Sequence, residues 1–171
     1  EQRVETVMRN LGQRGLSRLL VCDPRSIQYL TGVYVEPGER FLGLVLAPDA
    51  APTLVLNALF SAPADAACDV RSFTDTDDPL SLVAELVDTQ EPLGCDKNLP
   101  ARFLLPLMER GAAARFVLAS DAVDDARAHK DEAERAAMRA ASATNDAAMG
   151  RLRELVHEGI TEAEVAGQLE G

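Results

Sequence analysis

The side chains best suited to proton transfer or metal binding in this sequence belong to its two histidines, His129 and His157. Neither has a cysteine or a carboxylate at the spacing that zinc sites use, so the pair does not indicate a zinc centre. His129 lies beside Lys130 in a charged connection. His157 falls in the last turn of a predicted helix, where a positive charge interacts favourably with the helix dipole. We therefore expect structural roles for both histidines.

The acidic run from Asp75 to Asp78 has the beginning of a calcium-binding loop. Leu80 stands where that loop needs a glycine for its tight turn, and Val87 or a neighbour replaces the closing glutamate. Asp78 followed by Pro79 is instead typical of a helix start, with the aspartate as N-cap and the proline in the first helical position. The run therefore predicts a capped helix rather than a calcium site.

The three cysteines, Cys22, Cys68 and Cys95, are widely spaced and form no C-x-x-C pair. This pattern is not that of a disulfide framework and favours a reducing compartment. Cys22 and Cys95 fall in apolar runs and are expected to be buried and unreactive, whereas the pattern leaves Cys68 undecided. Glycine-rich phosphate loops and the G-x-S-x-G nucleophile motif are missing from the sequence. On the residues alone, we expect a binding or scaffolding domain with no catalytic or metal-binding residues.

Composition and charge narrow the class of partner. The chain is 47% hydrophobic and 26% charged, as globular proteins are, and its formal net charge is -11. That charge repels phosphate backbones and anionic lipid, so neither nucleic acid nor a membrane is an expected partner. No apolar run approaches the roughly 18 residues that span a bilayer, and the first residues do not form a signal peptide. These features predict a cytoplasmic protein.

The elements that position these residues alternate between strands and helices. Six apolar runs predict strands, at residues 18–22, 41–46, 53–56, 70–73, 93–95 and 116–119. Helices are predicted at residues 4–11, from Pro24 to Gly32, after Pro79, and at 100–110. The helix after Pro79 should bury a stripe formed by Leu82, Val83, Leu86 and Val87. In the helix at 100–110, Pro106 should bend or divide the segment. The hairpin-length connection after residue 46 makes the sheet mixed. We therefore predict an α/β layered sandwich with a mixed sheet of about five or six strands over residues 1–128.

The composition changes near residue 120. Residues 131–157 form one long helical pattern rich in alanine, glutamate and arginine, Gly159 ends it, and Thr161 with Glu164 forms a capping box that starts another helix. Val165 and Leu169 belong to an apolar face with no following residues to cover it. We expect residues 129–171 to be a helical extension: the opening helices of a second domain that is truncated.

Three short motifs, in register along the chain, resemble those of one family. Residues 23–32 (DPRSIQYLTG) resemble the D-P-x-N-I-x-Y-L-T-G segment of the creatinase/prolidase N-terminal domain. Residues 127–134 (RAHKDEAE) are similar to the junction of that domain with the catalytic one. Residues 158–165 (EGITEAEV) are similar to the turn between the first two catalytic-domain helices.

The resemblance implies a metallopeptidase of the Xaa-Pro dipeptidase or aminopeptidase kind, with a catalytic domain of the pita-bread fold. Such an enzyme acts on short proline-containing peptides, works as a homodimer and holds two divalent metals, manganese or cobalt, with two aspartates, one histidine and two glutamates. Every one of those ligands would lie beyond Gly171. The resemblance therefore implies that the present chain has no catalytic residue, binds no metal and is inactive by itself.

Family dimers place the segment after the Y-L-T-G motif at the active-site mouth of the partner subunit. Here that segment is residues 33–41, and Tyr34, Glu36 and Arg40 are the candidates that the resemblance gives for a cross-subunit contact with the substrate. The alternative for these residues is a solvated loop with a charge at its rim.

Two other functions share the same motifs. One is the N-terminal domain of a creatinase- or ectoine-hydrolase-type amidohydrolase. The other is a non-enzymatic peptide- or protein-binding module, such as a histone-chaperone subunit, since an acidic surface suits basic partners. The residues up to Gly171 do not separate these functions.

Overall fold

One mixed sheet organises the part of the chain that the computed structural model describes, residues 2–48 and 50–170. Its strands are β1 (Arg18–Val21), β2 (Leu42–Leu46), β3 (Thr53–Asn57), β4 (Asp69–Phe73), β5 (Pro92–Cys95) and β6 (Arg115–Leu118). The six strands lie in the order β4-β3-β2-β1-β5-β6. β2 is antiparallel to both β1 and β3, whereas β5 is parallel to β1 and β6, and β4 is parallel to β3. The predicted mixed α/β sheet is therefore confirmed.

Helices cover both faces of this sheet. They are α1 (Gln2–Gly12), α2 (Pro24–Thr31), α3 (Pro79–Ala84), α4 (Ala101–Glu109) and α5 (Asp121–Ala128). Alternate residues of β1 enter opposite cores: Leu19 and Val21 pack with α1, α2 and α5, while Leu20 packs with α3 and α4. Burial on both faces explains why the central strands are continuous apolar runs rather than alternating patterns.

Close packing on the second face explains the glycine inside β2. A Cβ atom on Gly43 would lie 2.6 Å from Cζ of Phe41, whose side chain is buried. The Phe41 ring meets Phe103 of α4 edge to face, with ring centroids 5.2 Å apart. The missing side chain at position 43 thus leaves room for the aromatic pair that holds α4 against the sheet.

The structure corrects the α3 prediction on this face and excludes one of the two alternatives for Pro106. α3 ends at Ala84, so Leu86 and Val87 pack against the core from beyond the helix, and its buried positions are Leu80 and Val83. Pro106 lies within α4 and does not divide it. Proline removes the backbone hydrogen bond to the carbonyl of Arg102, and Arg102 is exposed, so water can hydrate that carbonyl.

α5 was not among the helices predicted from the sequence. Its buried residues, Ala122, Val123 and Ala126, have the spacing of one helical face, which is the signal that could have identified it. Acidic residues on the opposite face obscured this pattern. Arg14, in the turn after α1, binds two of them, Asp121 and Asp125, each at 2.9 Å.

The chain separates into two compact units, Glu1–Ala128 and His129–Gly171. The second unit contains α6 (Glu132–Leu155) and α7 (Glu162–Glu170). Asp131 and Glu134 form a reciprocal capping box at the start of α6, and the predicted box of Thr161 and Glu164 opens α7. That these helices begin a pita-bread domain stays a prediction.

The long helix of the second unit is shorter than predicted. Val156 has extended backbone angles and ends α6, so the exposed His157 lies beyond the last turn rather than within it. No helix of the described residues is long and apolar enough to cross a membrane.

Candidate functional site

The candidate site begins with the local structure of residues 23–32. Asp23 caps α2: its Oδ2 accepts hydrogen bonds from the Ser26 backbone N–H at 2.8 Å and from the Ser26 hydroxyl at 2.7 Å. Thr31 closes the helix by donating to the Ile27 carbonyl at 2.8 Å, and Gly32 follows with the left-handed φ of 81° that favours glycine. The motif therefore fixes both ends of α2 and the direction in which the next residues leave it.

Residues 33–41, which we call the access segment, leave α2 in an alternating pattern. Val33 and Val35 are buried in the core, so Tyr34 and Glu36 are directed outward. The Tyr34 hydroxyl donates a hydrogen bond to Glu36 Oε1, which raises the pKa of the phenol. The guanidinium carbon of Arg25 lies 4.2 Å from the centre of the Tyr34 ring. Tyr34 thus links a cation and an anion on the exposed side of the segment.

Within the access segment, a tight turn precedes Arg40. The Arg40 backbone N–H donates to the Pro37 carbonyl at 3.1 Å, and Gly38 has a φ of 61°. Beyond the turn, Arg40 forms a bidentate pair with Asp75: Nε donates to Oδ1 at 2.8 Å and Nη2 to Oδ2 at 2.7 Å. The pair lowers the pKa of the Asp75 carboxyl and raises that of the Arg40 guanidinium.

A buried carboxylate joins the carboxyl ends of β1 and β5. Asp96 directly follows β5, is 7% exposed, and accepts backbone hydrogen bonds from Cys22 at 2.6 Å and Asp23 at 2.8 Å. Burial raises the pKa of this carboxyl. The Asn98 amide donates to Asp23 Oδ1 at 3.0 Å. These bonds hold the start of α2, and with it the access segment, against the parallel strand ends.

Sequence reasoning did not single out Asp96 or Asn98. The available signal was an acid placed directly after an apolar strand, at the sheet edge where α/β proteins bind ligands. Its partners could not be read from the sequence, because Asp96 and Cys22 come together only when β5 pairs with β1.

A shallow cavity of about 260 Å³ lies beside these strand ends. Its lining includes Asp23, Glu36, Arg40, Asn98, Arg102 and Phe103. This volume is slightly below the about 300–1,000 Å³ of pockets that bury drug-sized ligands. Cys22 also lines the cavity, but burial raises the pKa of its thiol well above the usual range and makes it a poor nucleophile.

The metal pair implied by the family motifs does not fit the residues present. Over residues 2–48 and 50–170, no three or more His, Cys, Asp and Glu side chains cluster in a way that could hold a metal ion. Asp75, Asp77 and Asp78, the acidic run with a calcium-like beginning, each have other partners. Asp77 accepts from Thr74 at 2.7 Å, and Asp78 caps α3, as predicted.

The structure brings the three candidate residues together only in part. Tyr34 is hydrogen-bonded to Glu36, and Glu36 lines the same cavity as Arg40. Arg40 itself is paired with Asp75 rather than with Glu36. Their contact with a substrate across a dimer stays a prediction.

The fold and this site define an α/β domain with a charged, outward-facing segment beside a small cavity. The chain belongs to the creatinase/prolidase N-terminal domain family, whose sequence profile matches residues 3–129. It is 34% identical over 162 residues to the probable dipeptidase PepE of Mycobacterium tuberculosis, which covers 91% of this chain and 43% of that protein. It is 30% identical over 169 residues to the Xaa-Pro dipeptidase of Lactobacillus delbrueckii, covering 94% of this chain and 46% of the relative.

A solved structure shows the same similarity to a dipeptidase. The crystal structure of dipeptidase PepE from Mycobacterium ulcerans superimposes with a TM-score of 0.83 at 30% identity, covering 98% of this chain and 47% of that one. The chain thus spans less than half of the length of each of these three relatives.

Proposed function

We propose that this chain is the N-terminal part of an Xaa-Pro dipeptidase and contributes to substrate access and dimerisation rather than to bond cleavage. The observation that carries the proposal is that Glu36 and Arg40, in the segment directly after the α2 motif, line the same cavity. Membership of the family and the similarity to dipeptidases support it. The three free cysteines, two of them buried, are compatible with work in the cytoplasm.

In this proposal bond cleavage belongs to residues outside the present chain. The two divalent metals implied by the family, manganese or cobalt, would be held there as well. The shallow cavity at the access segment would be completed by the catalytic domain of a partner subunit in a homodimer.

The access segment then contributes charge and shape to that composite site. A dipeptide carries an ammonium group at one end and a carboxylate at the other. Glu36 and Arg40 carry the complementary charges, and Tyr34 adds an aromatic surface beside Glu36. Short peptides with both termini free are therefore the substrates that this segment would favour.

The test is Arg40→Ala in the full-length dimer, assayed with the dipeptide Ala-Pro. We expect KM to rise by about tenfold, since a charged hydrogen bond to the substrate is lost, with a smaller change in kcat. Arg71→Ala is the matched control, because Arg71 is 42% exposed and paired with Glu85, as Arg40 is 39% exposed and paired with Asp75. Unchanged KM and kcat in Arg40→Ala would rule out the contact.

Assays of the full-length dimer also distinguish this function from the two alternative functions. A creatinase-type amidohydrolase would hydrolyse creatine-like amides in preference to Ala-Pro. A protein-binding module would hydrolyse neither substrate in the presence of manganese or cobalt.

A further inference from the structure

We infer that Asp75, held in place by Asn57, is a positioning residue that fixes the direction in which Arg40 is presented to the substrate. The inference rests on the proposed function of Arg40 and adds to it a second residue that never touches the substrate. It also gives a role to Asp75, the first residue of the acidic run from Asp75 to Asp78.

The geometry of the pair leaves Arg40 only one free edge. A guanidinium is a planar fork, and Asp75 occupies the edge formed by Nε and Nη2, at 2.8 and 2.7 Å. The end of the fork, formed by Nη1 and the outer hydrogen of Nη2, is directed away from Asp75. That edge matches the two oxygens of a second carboxylate. Arg40 is 39% exposed and lines the cavity, and in this inference the free edge is the part presented there.

Asn57 connects this pair to the rigid part of the fold. It is the last residue of β3, is 1% exposed, and donates from Nδ2 to Asp75 Oδ1 at 2.8 Å. Its own Oδ1 accepts the Leu59 backbone N–H at 2.9 Å, so both ends of the amide are bonded. In the sheet Asn57 is paired with Phe73, two residues before Asp75. The orientation of Arg40 is therefore determined by the β3–β4 strand pair and not by the access segment alone.

Neighbouring acids do not share this role. Asp77 accepts the Thr74 backbone N–H and hydroxyl, both at 2.7 Å, and closes its own turn. Asp78 caps α3 and pairs with Arg110. Asp77 therefore provides a matched control with the same charge, in the same turn, without a bond to Arg40.

A flexible arginine must be ordered when the substrate binds, whereas a preorganised one has already lost that freedom. We call the bidentate pair of Asp75 with Arg40 the clamp. Removing the clamp should therefore weaken substrate binding and leave the chemical step unaffected. A role in stability alone would change neither kinetic constant, and removal of a negative charge alone would strengthen the binding of a carboxylate.

The experiment compares Asp75→Asn, Asp75→Glu and Asp77→Asn in the full-length dimer, assayed with Ala-Pro. We expect Asp75→Asn to raise KM by about threefold to tenfold with little change in kcat, because one mobile side chain must now be ordered on binding. Asp75→Glu should restore part of the loss, and Asp77→Asn should match the wild type. In an Arg40→Ala background, Asp75→Asn should have no further effect. An unchanged or lowered KM in Asp75→Asn, or an additive double variant, would overturn the inference.

A second measurement separates this inference from the proposed function. In the present chain, the Nε–Hε NMR signal of Arg40 should exchange slowly with solvent and should exchange faster in Asp75→Asn than in Asp77→Asn. If Arg40→Ala leaves KM unchanged while this protection is seen, the clamp exists but the substrate contact is wrong. If the signal is unprotected in the wild type, the clamp itself is wrong.

Discussion

The Asp96 carboxylate accepts the backbone N–H of Cys22 at 2.6 Å, a bond that joins residues at the ends of two parallel strands. Asp96 also accepts the N–H groups of Asp23 and Asn98, each at 2.8 Å. One buried side chain therefore satisfies three backbone donors where β1 turns into α2 and where the chain leaves β5. The position of the access segment depends on these hydrogen bonds of Asp96, because α2 connects them to the segment.

Replacement of Asp96 should destabilise the first unit. In Asp96→Ala, the buried donors lose their acceptor, and we expect the free energy of unfolding to fall by about 3 kcal/mol. Urea unfolding measures this change. Asp65→Ala, at an exposed position of the same unit, should stay within about 0.5 kcal/mol of the wild type. Equal effects of the two substitutions would contradict the role given to Asp96.

The N-cap of α2 should weaken in acid. Burial alone would raise the pKa of Asp23, but the hydrogen bonds from Ser26 and Asn98 and the charge of Arg127 lower it below its usual value. The folded-state pKa is therefore depressed, so ionised Asp23 contributes stability that is complete above its unfolded value of about 3.9 and is lost as the pH falls through the folded value.

Asp23→Asn tests this linkage, because asparagine is also a good N-cap but does not titrate. The difference in unfolding free energy between wild type and variant should be positive at pH 7 and should shrink at pH 3. A difference that is the same at both pH values would mean that the charge of Asp23 does not stabilise the helix.

The cysteines should differ in reactivity. Cys22 and Cys95 are buried, and burial raises the pKa of the Cys95 thiol to about 12. Cys68 is only half buried, and burial raises the pKa of its thiol as well. At pH 8, we expect iodoacetamide to label Cys68 first and the other two only after unfolding, as followed by mass spectrometry. Early labelling of Cys22 or Cys95 would contradict their predicted burial.

Gly43 should be intolerant of a side chain. In Gly43→Ala, the new Cβ would meet the Phe41 ring at 2.6 Å, and we expect a loss of about 2 kcal/mol in unfolding free energy from overpacking. Gly12→Ala is the control, because nothing lies within 4 Å of a Cβ there. Adding Phe41→Leu should recover part of the loss. An unchanged stability of Gly43→Ala would show that the ring can move aside.

Local patterns in the sequence predicted much of this fold, and its tertiary contacts explain what they missed. The aspartate-proline pairs at Asp23 and Asp78 predicted helix starts, because an N-cap involves only neighbouring residues. The partnership of Arg40 with Asp75 could not be predicted, because these residues are 35 positions apart and meet only through strand pairing. The direction of the access segment, in contrast, follows from local burial of Val33 and Val35.

The turn before Arg40 offers a test in which stability and substrate binding separate. Gly38 and Gly111 both have a φ of 61°, and neither has an atom within 4 Å of a would-be Cβ. Alanine at either position should therefore cost about 1 kcal/mol of stability from backbone strain alone. Only Gly38 lies in the turn that directs Arg40, whose N–H bonds to the Pro37 carbonyl.

In the full-length dimer, Gly38→Ala should therefore raise KM for Ala-Pro by about twofold to fivefold, because Arg40 is no longer preorganised, while Gly111→Ala should not. Thermal unfolding checks that the two variants are equally destabilised. If Gly38→Ala and Gly111→Ala raised KM equally, the effect would come from general destabilisation. A KM that is unchanged in Gly38→Ala, despite the loss of stability, would show that substrate binding does not depend on the conformation of this turn.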